Sequence, residues 1–215
     1  MTSCTKQDAA LIIASAINTA SGRILVLLSG GSSAEVGVRA LAILDKIKQQ
    51  QITVALADER YVPYGAIDSN GTLLKKFEVQ QYCQAFIEVL QPSNETLEIT
   101  AKQYQSVLQE QLQIADTIIA VFGVGSDNHT AGILPDSAAI TAKSIIAAYD
   151  SAAFKRITIT PEVFTHITTA FVYAEGESKQ AAAQAIEETH GVASHPSQLI
   201  KQAKSWQVLF NKENT

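Results

Sequence analysis

Two titratable residues separated by a single residue, Asp127 and His129, lie in the segment DTIIAVFGVGSDNHTAGILPD, residues 116–136. An imidazole exchanges protons near neutral pH, and a carboxylate beside it can orient the ring. The five apolar residues 118–122 read as a strand covered on both faces. Gly123 and Gly125 then allow a tight turn or a close approach to a ligand. The pair thus falls just past the carboxyl end of a buried strand, where open α/β sheets build their sites. A lone His also fits a structural role. The Asp-x-His placement after a glycine turn is what points to catalysis.

Three other segments carry chemistry. Ser29-Gly30-Gly31-Ser32-Ser33 lies between an apolar run and a helical pattern. Its backbone N–H groups and the helix start can cradle an anion, and the same residues fit an ordinary turn capped by serine. It is not a Walker loop, because the lysine and the spacing are missing. Asp58-Glu59-Arg60-Tyr61-Val62-Pro63 follows a second apolar run. Arg60 can grip a phosphate or carboxylate through its planar fork, while a solvated loop with local ion pairs is the plainer alternative. Asp68-Ser69-Asn70 fits a helix cap or a ligand contact. Gly176-Glu177-Ser178-Lys179 opens a helical pattern; Lys179 can reach an anion or simply face solvent. Arg156, in the run RITIT, can point into a site or snorkel at an edge.

The elements that must position these residues alternate. Residues 5–20, 34–49, 95–113 and 177–189 have helical patterns. Residues 23–29, 52–57, 117–122, 155–160, 168–174 and 206–210 read as strands, and a polar loop is expected from 58 to 70. Alternating apolar strands and helices imply an α/β sandwich with a largely parallel sheet.

Bulk properties exclude several classes. The 215 residues suit one domain, 1–215, with a sizeable core, and 47% hydrophobic with 17% charged residues is a globular composition. A net charge of −5 argues against a general nucleic-acid partner, so any anion site must be local. Two distant cysteines, Cys4 and Cys83, give no disulfide framework and fit a reducing cytoplasm. No secretory leader or membrane span is expected. Gly123-x-Gly125-x-x-Asn128 lacks the third glycine of a dinucleotide fingerprint. The remaining histidines, His166, His190 and His195, are scattered with no cysteine near them, so no zinc site is expected.

Taken in order, the segments resemble the 6-phosphogluconolactonase family. The likeness covers about residues 23–180: the Ser29-Gly30-Gly31-Ser32 loop, Asp58-Glu59-Arg60-x-Val62-Pro63 with Ser69-Asn70, Gly123-x-Gly125-x-Asp127-x-His129-Thr130-Ala131, Arg156-Ile157-Thr158, and Gly176-x-x-Lys179. The resemblance implies a three-layer α/β/α sandwich with a Rossmann-like sheet, shared with glucosamine-6-phosphate deaminases. It implies hydrolysis of 6-phospho-D-glucono-1,5-lactone, in the oxidative pentose phosphate pathway, without cofactor or metal. His129 would be the general base, with Asp127 orienting it. Gly30, Gly31 and Ser32 would cradle the ligand, and Arg60 and Lys179, with Arg156 behind them, would hold the phosphate. Asp58, Asn70 and Gly125 would complete the binding surface. The chain departs from the pattern at Asn128, where a glycine is usual, at Ser33-Ala34 for Thr-Pro, and at Gly132-Ile133-Leu134 for Ser-Leu-Phe. The deaminase branch carries a glutamate at the fifth position after its histidine; here that residue is Leu134. A non-catalytic sugar-phosphate-binding protein is the remaining alternative.

Overall fold

The computed structural model describes residues 1–213. The first elements are β1 (Thr2–Ser3), α1 (Lys6–Thr19), β2 (Ile24–Leu28), α2 (Ser32–Ile43), α3 (Lys46–Gln49) and β3 (Ile52–Leu56). Then come β4 (Asp58–Arg60), α4 (Asn70–Lys76), β5 (Ala85–Ile87), α5 (Leu97–Ile114) and β6 (Thr117–Phe122). The chain continues through β7 (Ile146–Asp150), β8 (Lys155–Ile159), α6 (Pro161–Phe164), β9 (Thr169–Glu175), α7 (Gln180–Ala185) and β10 (Ser205–Asn211).

Seven strands form one parallel sheet in the order β1-β10-β9-β6-β2-β3-β5, flanked by helices in an α/β/α arrangement. All five residues of β2 are buried, which is why its sequence is an unbroken apolar run rather than an alternating one. Helix α1 begins where expected because Thr5 and Asp8 form a reciprocal capping box. Such a cap stabilises a helix start by about 1 kcal/mol.

Four expectations are corrected. The pattern over 34–49 is two helices: the chain leaves α2 at Leu44, and the Asp45 side chain accepts from Lys48 N at 2.8 Å to start α3. Residues 58–60 are a strand, β4, not loop. β8 does not join the main sheet; it lies between β4 and β7 in a separate antiparallel sheet. The pattern over 177–189 opens as a 3-10 turn at Glu177–Lys179 and gives only the short helix α7.

Strand order locates the site. From β2 the chain moves to β3 on one side, whereas β6 pairs on the other. The carboxyl ends of β2 and β6 therefore diverge at a topological switch point, the usual crevice for ligands in such sheets.

Candidate active site

The β2 side of the crevice is the turn Ser29-Gly30-Gly31 leading into α2. Gly31 has φ 70° and ψ −150°, a conformation open essentially to glycine alone. It occupies the N-cap without a side-chain hydrogen bond, so the first N–H groups of this 12-residue helix have no side-chain cap.

The second wall comes from β4. Side chains alternate along a strand, so Asp58 and Arg60 enter the crevice while Glu59 points away. Asp58 is buried, and burial raises its pKa against the pull of Arg156, His129, Arg60 and Ser29. Asn70 Nδ2 donates to the Asp58 carbonyl at 3.0 Å and to Oδ2 at 3.2 Å. Arg60 sits over the Phe154 ring at 5.0 Å and donates to the Asp68 carbonyl at 3.3 Å. Its direct cross-strand partner on β8 is Arg156, whose Nε reaches Ser151 Oγ at 3.2 Å. Like charges placed opposite one another in a sheet repel, so this pairing favours an anion between the two guanidinium groups.

The third wall is the turn after β6. Asn128 N donates to the Gly125 carbonyl at 2.9 Å, and Asn128 takes φ 67°. The left-handed turn is thus kept without glycine, as asparagine tolerates. Gly125 N in turn donates to the His129 carbonyl at 2.9 Å. His129 Nδ1 lies 2.6 Å from Asp127 Oδ1, which also accepts from His129 N at 3.2 Å. A Cβ on Gly125 would fall 2.1 Å from His129 Nδ1 and 2.3 Å from Asp127 Oδ1, so this glycine makes room for the pair. Partial burial raises the Asp127 pKa, but the charge of His129 and its hydrogen bonds outweigh this and hold it below the usual carboxylate range. Lys179, from the 3-10 turn after β9, donates to the Val124 carbonyl at 2.7 Å. Burial lowers its pKa, with Asp127 opposing.

These walls enclose a cleft of about 230 Å³ lined by Gly30, Gly31, Asp58, Arg60, Asn70, His129, Arg156 and Lys179, all anticipated from sequence. Ser32, Gly125 and Asp127 are not part of the lining. Ser29, Gly123, Val124 and Ala131 line it without having been singled out as site residues. Their signal was adjacency: each is within two residues of one that was. A larger cavity of about 480 Å³ lies at the amino ends of β2, β3 and β5, among Arg23, Gln51, Gln84 and Gln111. It contains no acid–base pair, so chemistry rather than size selects the smaller cleft. Among the described residues, no cluster of three or more His, Cys, Asp or Glu could hold a metal ion. No described helix is long and apolar enough to cross a membrane.

The family model for glucosamine-6-phosphate isomerases/6-phosphogluconolactonase matches residues 3–209. A 6-phosphogluconolactonase of Pseudomonas aeruginosa is 31% identical over 180 residues, 78% of this chain and 74% of that one. The crystal structure of 6-phosphogluconolactonase from Leishmania guyanensis is similar with a TM-score of 0.79 at 20% identity, covering 98% of this chain and 95% of that one. A monomeric glucosamine-6-phosphate deaminase is similar with a TM-score of 0.76 at 18% identity, covering 99% and 97%. Both chemistries share the fold, so the fold does not choose between them.

Proposed function

The chain belongs to the glucosamine-6-phosphate isomerase/6-phosphogluconolactonase family, and from that premise we propose that it hydrolyses 6-phospho-D-glucono-1,5-lactone to 6-phosphogluconate, with His129 as general base. The observation that carries the mechanism is the 2.6 Å contact between His129 Nδ1 and Asp127 at the edge of a cleft lined by three cations. In the neutral ring, a carboxylate at Nδ1 selects the tautomer with its proton there, leaving Nε2 free to accept one. Nε2 takes a proton from water as the oxygen attacks the lactone carbonyl. The tetrahedral intermediate then expels the ring oxygen, and the imidazolium returns the proton to it, giving the open acid. Charge developing on the carbonyl oxygen needs donors, and the uncapped start of α2 and the Lys179 ammonium are the groups at hand.

Arg60 and Arg156 are the phosphate grip in this reading, supported by their placement opposite each other on β4 and β8. Held far from the reacting carbon, the phosphate supplies binding energy that fixes orientation. The deaminase reading is disfavoured at Leu134, a side chain unable to exchange protons where that branch carries a glutamate.

The test is a coupled assay in which glucose-6-phosphate dehydrogenase generates the lactone. The protein should remove lactone faster than spontaneous hydrolysis, and His129→Ala should cut kcat by about two to four orders of magnitude. A spontaneous rate with the intact protein, or an unchanged rate in the variant, overturns the reading. Glucosamine-6-phosphate in parallel reports on the deaminase branch.

A further inference from the structure

β4 sends two charged side chains into the cleft and one, Glu59, into the protein, where it is completely buried. The hydrolytic scheme makes no use of this carboxylate. Among the described residues no ion pair involves it; its partners are hydrogen-bond donors. Oε1 accepts from Arg60 N and from Asn70 N, both at 2.7 Å. Oε2 accepts from Ser69 Oγ at 2.9 Å and from Gly71 N at 2.8 Å. Both oxygens are thus used twice, the full complement for an ionised carboxylate, which only accepts.

Three of these bonds cross from β4 to the start of α4, two pieces of backbone joined by the nine-residue loop 61–69, and the fourth holds Arg60 N within β4. Each piece delivers cleft residues. Asn70 is held at its own N–H by Glu59 and reaches back with its side chain to Asp58. The same Asn70 amide sits where a Cβ on Gly30 would be, 2.1 Å from its Oδ1, so it also abuts the turn at the end of β2. Arg60 is held at its own N–H and carries its guanidinium into the cleft opposite Arg156. One buried carboxylate therefore registers Asp58, Arg60 and Asn70 against one another, while Asp127 and His129 stand on a different turn that Glu59 does not touch.

We propose that Glu59 is a positioning residue for the anion-binding half of the cleft, acting through the backbone of Arg60 and Asn70 on substrate affinity and not on the hydrolytic step. The idea deepens the lactonase reading and rests on it. In Glu59→Gln an amide NH2 replaces one oxygen and faces two donors, so at least one of the β4–α4 bonds is lost.

The experiment measures KM and kcat for the phosphorylated lactone at pH 8 in the native protein, Glu59→Gln and Ser69→Ala. Glu59→Gln should raise KM by about tenfold or more with kcat within about threefold, because interactions that bind ground state and transition state alike appear in KM. Ser69→Ala removes one donor to Glu59 and the α4 cap, so it should raise KM in the same direction by a few-fold. It decides the matter if Glu59→Gln fails to fold. KM within twofold of native in both variants overturns the proposal, as does a fall in kcat equal to that in kcat/KM. Calorimetric binding of 6-phosphogluconate runs alongside. If the native protein binds this product but does not turn over lactone, the lactonase reading fails, and weaker product binding by Glu59→Gln still upholds the positioning role. Equal product binding by native and variant overturns that role.

Discussion

Replacing Asp127 with Asn isolates the carboxylate's service to His129. The perturbation is nearly isosteric and removes the charge behind a 2.6 Å contact. Hydrogen bonds to charged groups contribute about 1.5–3 kcal/mol, and each 1.36 kcal/mol is tenfold in rate. The Asp127 side chain is 51% exposed and His129 32%, so solvent screening puts the effect at the lower end. The expected result is a fall in kcat of about 10- to 30-fold, with KM for the phosphorylated lactone unchanged. This is far less than deletion of the base itself. The coupled dehydrogenase assay, corrected for spontaneous hydrolysis, reads both parameters. The sign with pH also follows. Asp127 is held below the ordinary carboxylate range, so its contribution is intact above that range and is lost only as pH falls through its own lowered value. The native-to-variant ratio should therefore stay constant from about pH 8 to 9, where a carboxylate is ionised and an imidazole is neutral. A variant with native kcat, or one whose only defect is in KM, would refute the orienting role.

Arg60→Ala should raise KM for the phosphorylated lactone by about 10- to 100-fold, the worth of a charge-assisted contact, and leave unphosphorylated gluconolactone unaffected; equal loss on both substrates would show that Arg60 is not the phosphate grip. Asn128→Ala should cost about 1–2 kcal/mol in urea denaturation because alanine resists φ 67°, whereas Asn128→Gly should be close to neutral. Glu59 is pushed by burial up to about 7 against four hydrogen bonds that pull it down, with Tyr104 and Asp58 the titratable groups near it. A carboxyl whose folded pKa is raised binds more protons folded than unfolded, so its stability contribution is fully present below about 4.5 and is lost as pH rises through about 7. The difference amounts to about 3 kcal/mol; chemical denaturation at pH 4.5 and 8 should show that slope in the native protein and a flatter one in Glu59→Gln.

Much of the frame was legible because buried parallel strands announce themselves as apolar runs, and β2, β3 and β6 did so. The cleft residues were legible for the same reason: Gly30 and Asp58 each follow such a run by two positions, and His129 follows one across a glycine turn. What escaped was short or local. β7 reads Ile-Ala-Ala-Tyr-Asp, too mixed to stand out, and β5 has three residues. β4 was hidden because three charged residues look like loop until alternation sorts them, two to the cleft and one to the interior. Membership of β8 in a second sheet depends on pairing between distant segments, which apolar periodicity does not encode. The function of Glu59 escaped likewise, since its four donors come from three neighbouring residues ten to twelve positions on and from the backbone beside it.

The pairing of β1 with β10 has a consequence for how the molecule is made. Thr2 and Ser3 find their ladder partners at Leu209 and Phe210, and β10 is wedged between β1 and β9. During synthesis Thr2 and Ser3 are made some two hundred residues before the strand they pair with, residues 205–211. Without β10 one edge of the sheet, opposite β5, is β9, a seven-residue strand with five buried residues and no charge between its ends. Such an edge invites pairing with other chains. Slowing the ribosome between β9 and β10 therefore prolongs the exposure of this edge to other chains.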